Sequence, residues 1–249
     1  MPMSTRPVLI VKNEPREGGG LIEEVLTRHH IPVKLFDLKA GDEFPDPEMG
    51  SALVILGGPD SANDQTKIML NELKQVRRCL EKEIPYLGIC LGLQVMVKAA
   101  GGQVTKSPVK EVGFYSPDSR PYEVEITFEG ARDPIFRGFR QRVFRVFQLH
   151  GETVVLTPAT AGKPEMRLVG ISPEVPNQMV RVGANAYGIQ CHFELTRELF
   201  DVWIKEDADL QAMDPVRLKQ DFELIGKTYL ETGTRLIENF LKIAGLLSK

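Results

Sequence analysis

Three separated positions in this chain could together do nucleophilic chemistry. Cys90 lies in Gly88-Ile-Cys-Leu-Gly92, with a glycine two residues away on either side. An apolar run, Pro85-Tyr-Leu-Gly-Ile89, precedes it, and an apolar stretch of helical character, Leu91 to Ala100, follows. A strand that turns this abruptly into a helix leaves no room for a Cβ at the flanking positions. The turn presents the cysteine at a helix N-terminus, where the dipole and the free N–H groups favour thiolate over thiol. The bland alternative is a buried structural cysteine in a turn that happens to contain glycine. It loses ground because both flanks match the strand and the helix that the motif requires.

A thiolate nucleophile needs a base to hold and pass protons, and the chain has four histidines. His29 and His30 end a predicted helix and read as partners of its C-terminal dipole. His150 lies in Gln148-Leu-His-Gly-Glu152 and His192 in Gln190-Cys-His-Phe-Glu194. His192 is the better candidate, because it follows a predicted strand and has Glu194 two residues on. In extended chain those two side chains point the same way, and a carboxylate there fixes the tautomer and stabilises the imidazolium. Leu56-Gly57-Gly58-Pro59 ends another predicted strand. Its bare backbone suits an oxyanion hole, with the helix-start N–H of Leu91 as the second donor, although Gly-Gly-Pro alone is an ordinary strand-ending turn.

The elements that must position these groups follow from hydrophobic spacing. Residues 7–11, 32–36, 51–56 and 85–89 are buried-strand candidates. Between them, 20–29 and 66–83 carry helical periodicity, as does 91–100, which Gly101-Gly102 stops. Such strand–helix alternation predicts an α/β doubly wound core, a mostly parallel sheet covered on both faces. After about residue 110 the pattern changes. Tyr122, Val124, Ile126 and Phe128 alternate with polar residues, and 143–149, 167–172 and 178–182 are further strand candidates, attached as antiparallel strands. Residues 186–191 form one more strand that delivers His192. Helices follow over 196–205 and from Asp214-Pro215, a predicted cap and first-turn proline, with Leu236, Ile237, Phe240, Leu241 and Ala244 on one stripe. The reading is a single domain over 1–249, with 197–249 a helical extension packed on it.

The 249 residues are 42% hydrophobic and 26% charged, which excludes disordered and low-complexity classes. A net charge of −3 shows no basic nucleic-acid footprint, and no apolar run reaches the roughly 20 residues of a membrane span. Three cysteines, Cys79, Cys90 and Cys191, make no even disulfide framework and no C-x-x-C pair. With no signal-peptide pattern at the N-terminus, the expected setting is reducing and cytoplasmic. No metal or cofactor is expected.

Taken together, Gly57-Gly58-Pro59, Gly88-Ile-Cys-Leu-Gly-Leu-Gln94, Lys110-Glu-Val-Gly-Phe114, His150-Gly-Glu152 and His192-Phe-Glu194 resemble a class I, triad-type glutamine amidotransferase. The likeness is nearest to the amidotransferase domain of GMP synthetase and its stand-alone relatives, and it covers roughly residues 50 to 196. It implies the flavodoxin-like fold, Cys90 as nucleophile, His192 as general base and acid, and Glu194 as orienting carboxylate. It implies an oxyanion hole from the amides of Gly58 and Leu91. Gln94 and the loop Glu111, Val112 and Gly113 match positions that line the glutamine pocket. A glutamyl thioester and ammonia would form, then glutamate, and an ammonia-accepting synthetase subunit is the partner such a domain serves. Phe193 stands where many synthetase-linked members have proline, which groups the chain with stand-alone members. Gly57-Gly-Pro-Asp-Ser61 looks like part of a synthetase ATP loop, but Leu56 replaces its leading serine, so ATP use is not supported.

Three other readings stay open at this stage. One is a γ-glutamyl peptidase, which uses the same thiol chemistry with a different leaving group; a tight pocket would favour glutamine and an open groove a peptide. Another is a non-catalytic regulatory subunit, against which the presence of Cys90, His192 and Glu194 counts. The third is a thiol-elbow protein with a protease, chaperone or redox role, which fits the His-x-Glu less well; Cys191 more simply fills its strand's buried face.

Overall fold

The strands are β1 (Val8–Lys12), β2 (Val33–Asp37), β3 (Ala52–Ile55), β4 (Tyr86–Ile89), β5 (Gln103–Gly113), β6 (Glu123–Ile126), β7 (Val143–Arg145), β8 (Gln148–Val155), β9 (Met166–Ile171), β10 (Met179–Val182) and β11 (Ala186–Ile189). The helices are α1 (Leu21–Arg28), α2 (Lys67–Glu81), α3 (Leu91–Ala99), α4 (Arg197–Glu206), the single turn α5 (Ala208–Gln211) and α6 (Pro215–Ile243). This computed structural model describes residues 6–158 and 164–248.

Nine strands form one sheet in the order β2-β1-β3-β4-β11-β10-β9-β6-β7. The first five run parallel and the remaining pairings are antiparallel. The parallel strands are short and buried on both faces where they are central: β1, β3, β4 and β11 are almost wholly inside. That is why they read as continuous apolar runs with no alternation. Helices α1 and α6 pack on one face and α2 and α3 on the other. The result is the expected mixed α/β fold with a largely parallel central sheet. Strand order reverses at β1, which sits between β2 and β3, and open sheets of this kind bind ligands at such a switch point.

Two strand expectations need correction. Residues 143–149 are not one strand: the chain leaves the main sheet after β7, and β8 pairs instead with β5 in a separate two-stranded ribbon. Sequence periodicity also gives no sign of β5, because its residues are mostly polar and exposed and it carries Pro108; only its partner strand holds it. In β6 the alternation holds through Ile126, but Phe128 is 69% exposed and packs under the Arg132 guanidinium. His29 stands at the C-cap of α1, the helix end where the sequence places it, and its ring also meets Glu238 of α6, with 3.0 Å between Nε2 and Oε1.

The helix starts are as the sequence suggests. Thr66, Thr196 and Asp214 cap α2, α4 and α6 by accepting the backbone N–H of Met69, Leu199 and Val216. Helix α6 then lies along the sheet and buries Leu236, Ile237, Phe240 and Leu241 in the core shared with α1. Its earlier turns join α4 in an aromatic cluster of Phe114, Phe147, Phe200, Trp203, Phe222 and Tyr229.

Candidate active site

Strand β11 lies beside β4 in register, Gly188 opposite Gly88 and Ile189 opposite Ile89. This pairing brings residues a hundred positions apart to one end of the sheet. The Cys90 amide donates to the Ile189 carbonyl at 2.8 Å, and His192 follows a few residues beyond. Cys90 itself has φ 51° and ψ −103°, a left-handed conformation that a non-glycine residue rarely adopts. The flanking glycines make the turn sterically feasible. A Cβ at Gly88 would stand 2.4 Å from the Gly92 carbonyl, and one at Gly92 would stand 2.3 Å from the oxygen of Ile55.

The thiol is 6% exposed and opens α3. Its sulfur donates to the Leu149 carbonyl at 3.8 Å and accepts from Gln190 Nε2 at 3.6 Å. Gln94 Nε2 in turn reaches the Gln190 side-chain oxygen and the Glu152 carbonyl, each at 3.4 Å. Cys79 and Cys191 are fully buried, and burial pushes both thiols up, that of Cys79 to about 12.

His192 and Glu194 form a buried pair with 2.6 Å between Nδ1 and Oε1. The second Glu194 oxygen accepts the Phe193 amide at 2.9 Å. Burial alone pulls the imidazole down, but the Glu194 charge and the neighbouring Cys90 thiol outweigh it and hold the ring well above its usual range. The indole of Trp203 meets the imidazole edge-on at 4.8 Å and seals that side from water.

A cavity of about 460 Å³ opens above these groups, lined among others by Cys90, His192, Gln94 and Gly58. Gly58 sits against Leu91: a Cβ on Gly58 would lie 3.4 Å from the leucine Cδ2. The Leu91 amide is the first of α3 and has no intrahelical acceptor. Glu111, Val112 and Gly113 stand apart from the cavity wall. Glu111 is 1% exposed and lies beneath His150, 3.0 Å from Nε2 but off the hydrogen-bond direction, and Gly113 packs on Met213. His150, set aside in favour of His192, does line the cavity.

Sequence reasoning passes over Glu17, Gln190, Trp203 and Tyr229. Glu17 is 3% exposed and lines the cavity, and burial raises its carboxyl to about 7 against the opposing pull of His192. Its signal is present in the sequence: it precedes three glycines in the loop after the first strand, where a doubly wound sheet places ligand contacts. The other three carry no local signal. Among the described residues, Glu17, His192 and Glu194 are the one group of donors close enough to hold a cation, all within 4.8 Å. The Glu194 oxygens are already taken by His192 and the Phe193 amide.

With this geometry established, comparison with known proteins gives a consistent result. The family model "Glutamine amidotransferase class-I" matches residues 21–208. The glutamine amidotransferase-like protein YfeJ of Salmonella typhimurium is 28% identical over 226 residues, 84% of this chain and 86% of that protein. A glutamine-hydrolysing GMP synthase of Thermosipho melanesiensis is 30% identical over 158 residues, 63% of this chain but only 26% of the synthase. The crystal structure of a Thermotoga maritima glutamine amidotransferase superposes with a TM-score of 0.81 at 26% identity, over 96% of this chain and all of that one. One from Methylobacillus flagellatus superposes with a TM-score of 0.81 at 24% identity, over 96% of each chain, and likewise shows the fold. The chain belongs to the class-I glutamine amidotransferase family and has the fold of the solved glutamine amidotransferases.

Proposed function

We propose that the protein is a glutamine amidotransferase-type hydrolase in which Cys90, His192 and Glu194 act as a catalytic triad. The Cys90 thiolate attacks the side-chain carbonyl carbon of glutamine. The oxyanion that forms is held by the amides of Gly58 and Leu91. His192 gives its proton to the leaving nitrogen, the C–N bond breaks, and ammonia departs from a glutamyl thioester. Water then attacks the thioester, His192 takes its proton, and glutamate leaves with the thiol restored. Glu194 holds the imidazole in one tautomer throughout. Gln94, which lines the cavity, shapes one wall of the glutamine pocket.

The observation that carries this reading is the buried 2.6 Å His192–Glu194 pair in the same cavity as a cysteine strained into the left-handed region at a helix start. The ammonia would pass to a synthetase partner or be released. A second substrate class, γ-glutamyl peptides, would use the same thiol chemistry with a different leaving group.

The test is glutamate release by the purified chain on L-glutamine and a panel of γ-glutamyl dipeptides, with Cys90→Ser as the blank. Faster turnover of glutamine supports an amidotransferase, and faster turnover of peptides a γ-glutamyl peptidase. Release by Cys90→Ser at the wild-type rate removes Cys90 as nucleophile. Silence on every substrate favours a partner-dependent subunit, which co-purification of a synthetase would identify.

A further inference from the structure

Glu17 is a buried carboxylate that the triad reading does not use. It sits in the loop between β1 and α1, beside the Gly57-Gly58 loop that follows β3, so it stands at the sheet's switch point. Its carboxylate accepts no hydrogen bond among the described residues. A buried carboxylate without such a partner is costly unless a positive charge compensates it. The charges that face it are His192 and Glu194 from the segment after β11, Arg16 from its own loop, and Asp207 from the end of α4. Arg16 is already paired with Asp207 at 2.7 Å, which leaves the His192 ring, paired with Glu194 through Nδ1, as the cation that a second carboxylate can share.

The geometry supports that pairing. An oxygen of Glu17 lies within 4.8 Å of a ring nitrogen of His192 and of an oxygen of Glu194. Gly57 stands between them: a Cβ there would be 3.3 Å from Glu17 Oε2, 3.2 Å from His192 Cε1 and 3.6 Å from Cys90 Cβ. All three are at or inside ordinary van der Waals contact, so a side chain at Gly57 would fill the gap across which the carboxylate faces the ring.

We propose that Glu17 is a positioning residue for His192, a second carboxylate from a separate element that stabilises the imidazolium which protonates the leaving nitrogen. This rests on the reading of His192 as general acid. An ionised Glu17 raises the imidazole and prolongs its protonated form toward alkaline pH. Because burial places the Glu17 carboxyl near 7, the support strengthens as pH rises through neutrality. Its loss acts on the alkaline limb of acylation.

The experiment is an NMR titration of the histidine rings in the full chain, without substrate, for wild type, Glu17→Gln, Glu17→Asp and, as a buried-carboxylate control, Glu72→Gln. The His192 signal is assigned by its absence in His192→Asn. An opposite charge within about 4–6 Å moves a pKa by about 1–3 units, so Glu17→Gln is expected to lower the His192 titration by about 1 unit. Glu17→Asp, which keeps the charge, restores part of the shift and reports on the charge should Glu17→Gln fold poorly. Glu72→Gln leaves the His192 titration where it is in wild type. In turnover, the alkaline limb of kcat moves to lower pH in Glu17→Gln while KM stays within about twofold. An unchanged His192 titration in Glu17→Gln, or an equal shift in Glu72→Gln, overturns the proposal. A shifted titration in a chain that hydrolyses no γ-glutamyl compound keeps the pairing and favours the partner-dependent subunit over an enzyme that works alone.

Discussion

The hydroxyl of Tyr229 donates to the carbonyl oxygen of His192 at 3.0 Å and accepts the amide of Leu195 at 3.4 Å. One side chain of α6 therefore ties both ends of the segment that carries His192 and Glu194. One turn further on, Gly233 comes so close to Phe193 that a Cβ would stand 2.4 Å from its carbonyl oxygen. The C-terminal helix is thus part of the framework of the site as well as of the core.

Tyr229→Phe leaves a buried carbonyl and a buried amide without their shared partner. The expected cost is about 1–3 kcal/mol, read as a lower urea midpoint with an unchanged slope. Glutamate release should fall with it, because the imidazole loses its anchor. Wild-type stability and turnover in this variant would mean that the hydroxyl contributes nothing to the loop.

Thiol reactivity should be confined to one position. Cys79 and Cys191 are fully buried with thiols held protonated, whereas Cys90 lines the cavity. Iodoacetamide at neutral pH should modify one cysteine per native chain, and peptide mapping should find it at Cys90. All three should react after unfolding in guanidinium. Native labelling at Cys191 would contradict the assignment.

Gly92→Ala should abolish folding or cost more than about 4 kcal/mol, because the new methyl would stand 2.3 Å from a backbone oxygen of Ile55 that β3 holds in place. Gly226→Ala is the matched control. It lies within α6, and the nearest atom to a new Cβ is 4.0 Å away. It should stabilise the protein by about 0.5–1 kcal/mol. Thermal melts of the two variants distinguish local crowding from a general intolerance of alanine.

Glu72 should make stability depend on pH. It is fully buried in α2, with one oxygen accepting from Asn13 Nδ2 at 3.2 Å, and burial raises it from 4.5 to about 7. Between those values the folded chain keeps a proton that the unfolded chain has released, so stability falls as pH rises through this window and levels off above it. The full effect is at most on the order of 3 kcal/mol. Glu72→Gln keeps an acceptor for Asn13 and removes the titration. Its urea midpoint should decline less than that of wild type between pH 5 and 8, and equal declines would remove Glu72 as the cause.

The candidate site was legible in sequence where it depends on short-range geometry. Gly88-x-Cys90-x-Gly92 is readable because strand, strained residue and helix are consecutive, and each glycine answers a clash that occurs within that turn or against the next strand. His192-x-Glu194 is readable because an extended chain points alternate residues the same way. The parallel strands were legible from burial on both faces, and β5 was not, because a polar ribbon strand is held by its partner rather than by a core.

The sequence by itself placed Cys90 at a strained strand-to-helix turn, set His192 beside Glu194 and specified the doubly wound core, since local sterics and hydrophobic spacing fix those. Only the tertiary structure decided what surrounds them. The pairing of β4 with β11 sets Gln190 against the Cys90 sulfur. The return of α4 and α6 places Trp203 and Tyr229 on His192. The loop after β1 brings Glu17 across Gly57 to the same ring. Each of these contacts joins elements far apart in the chain, and their side chains carry no mark of their partners until burial and strand order bring them together.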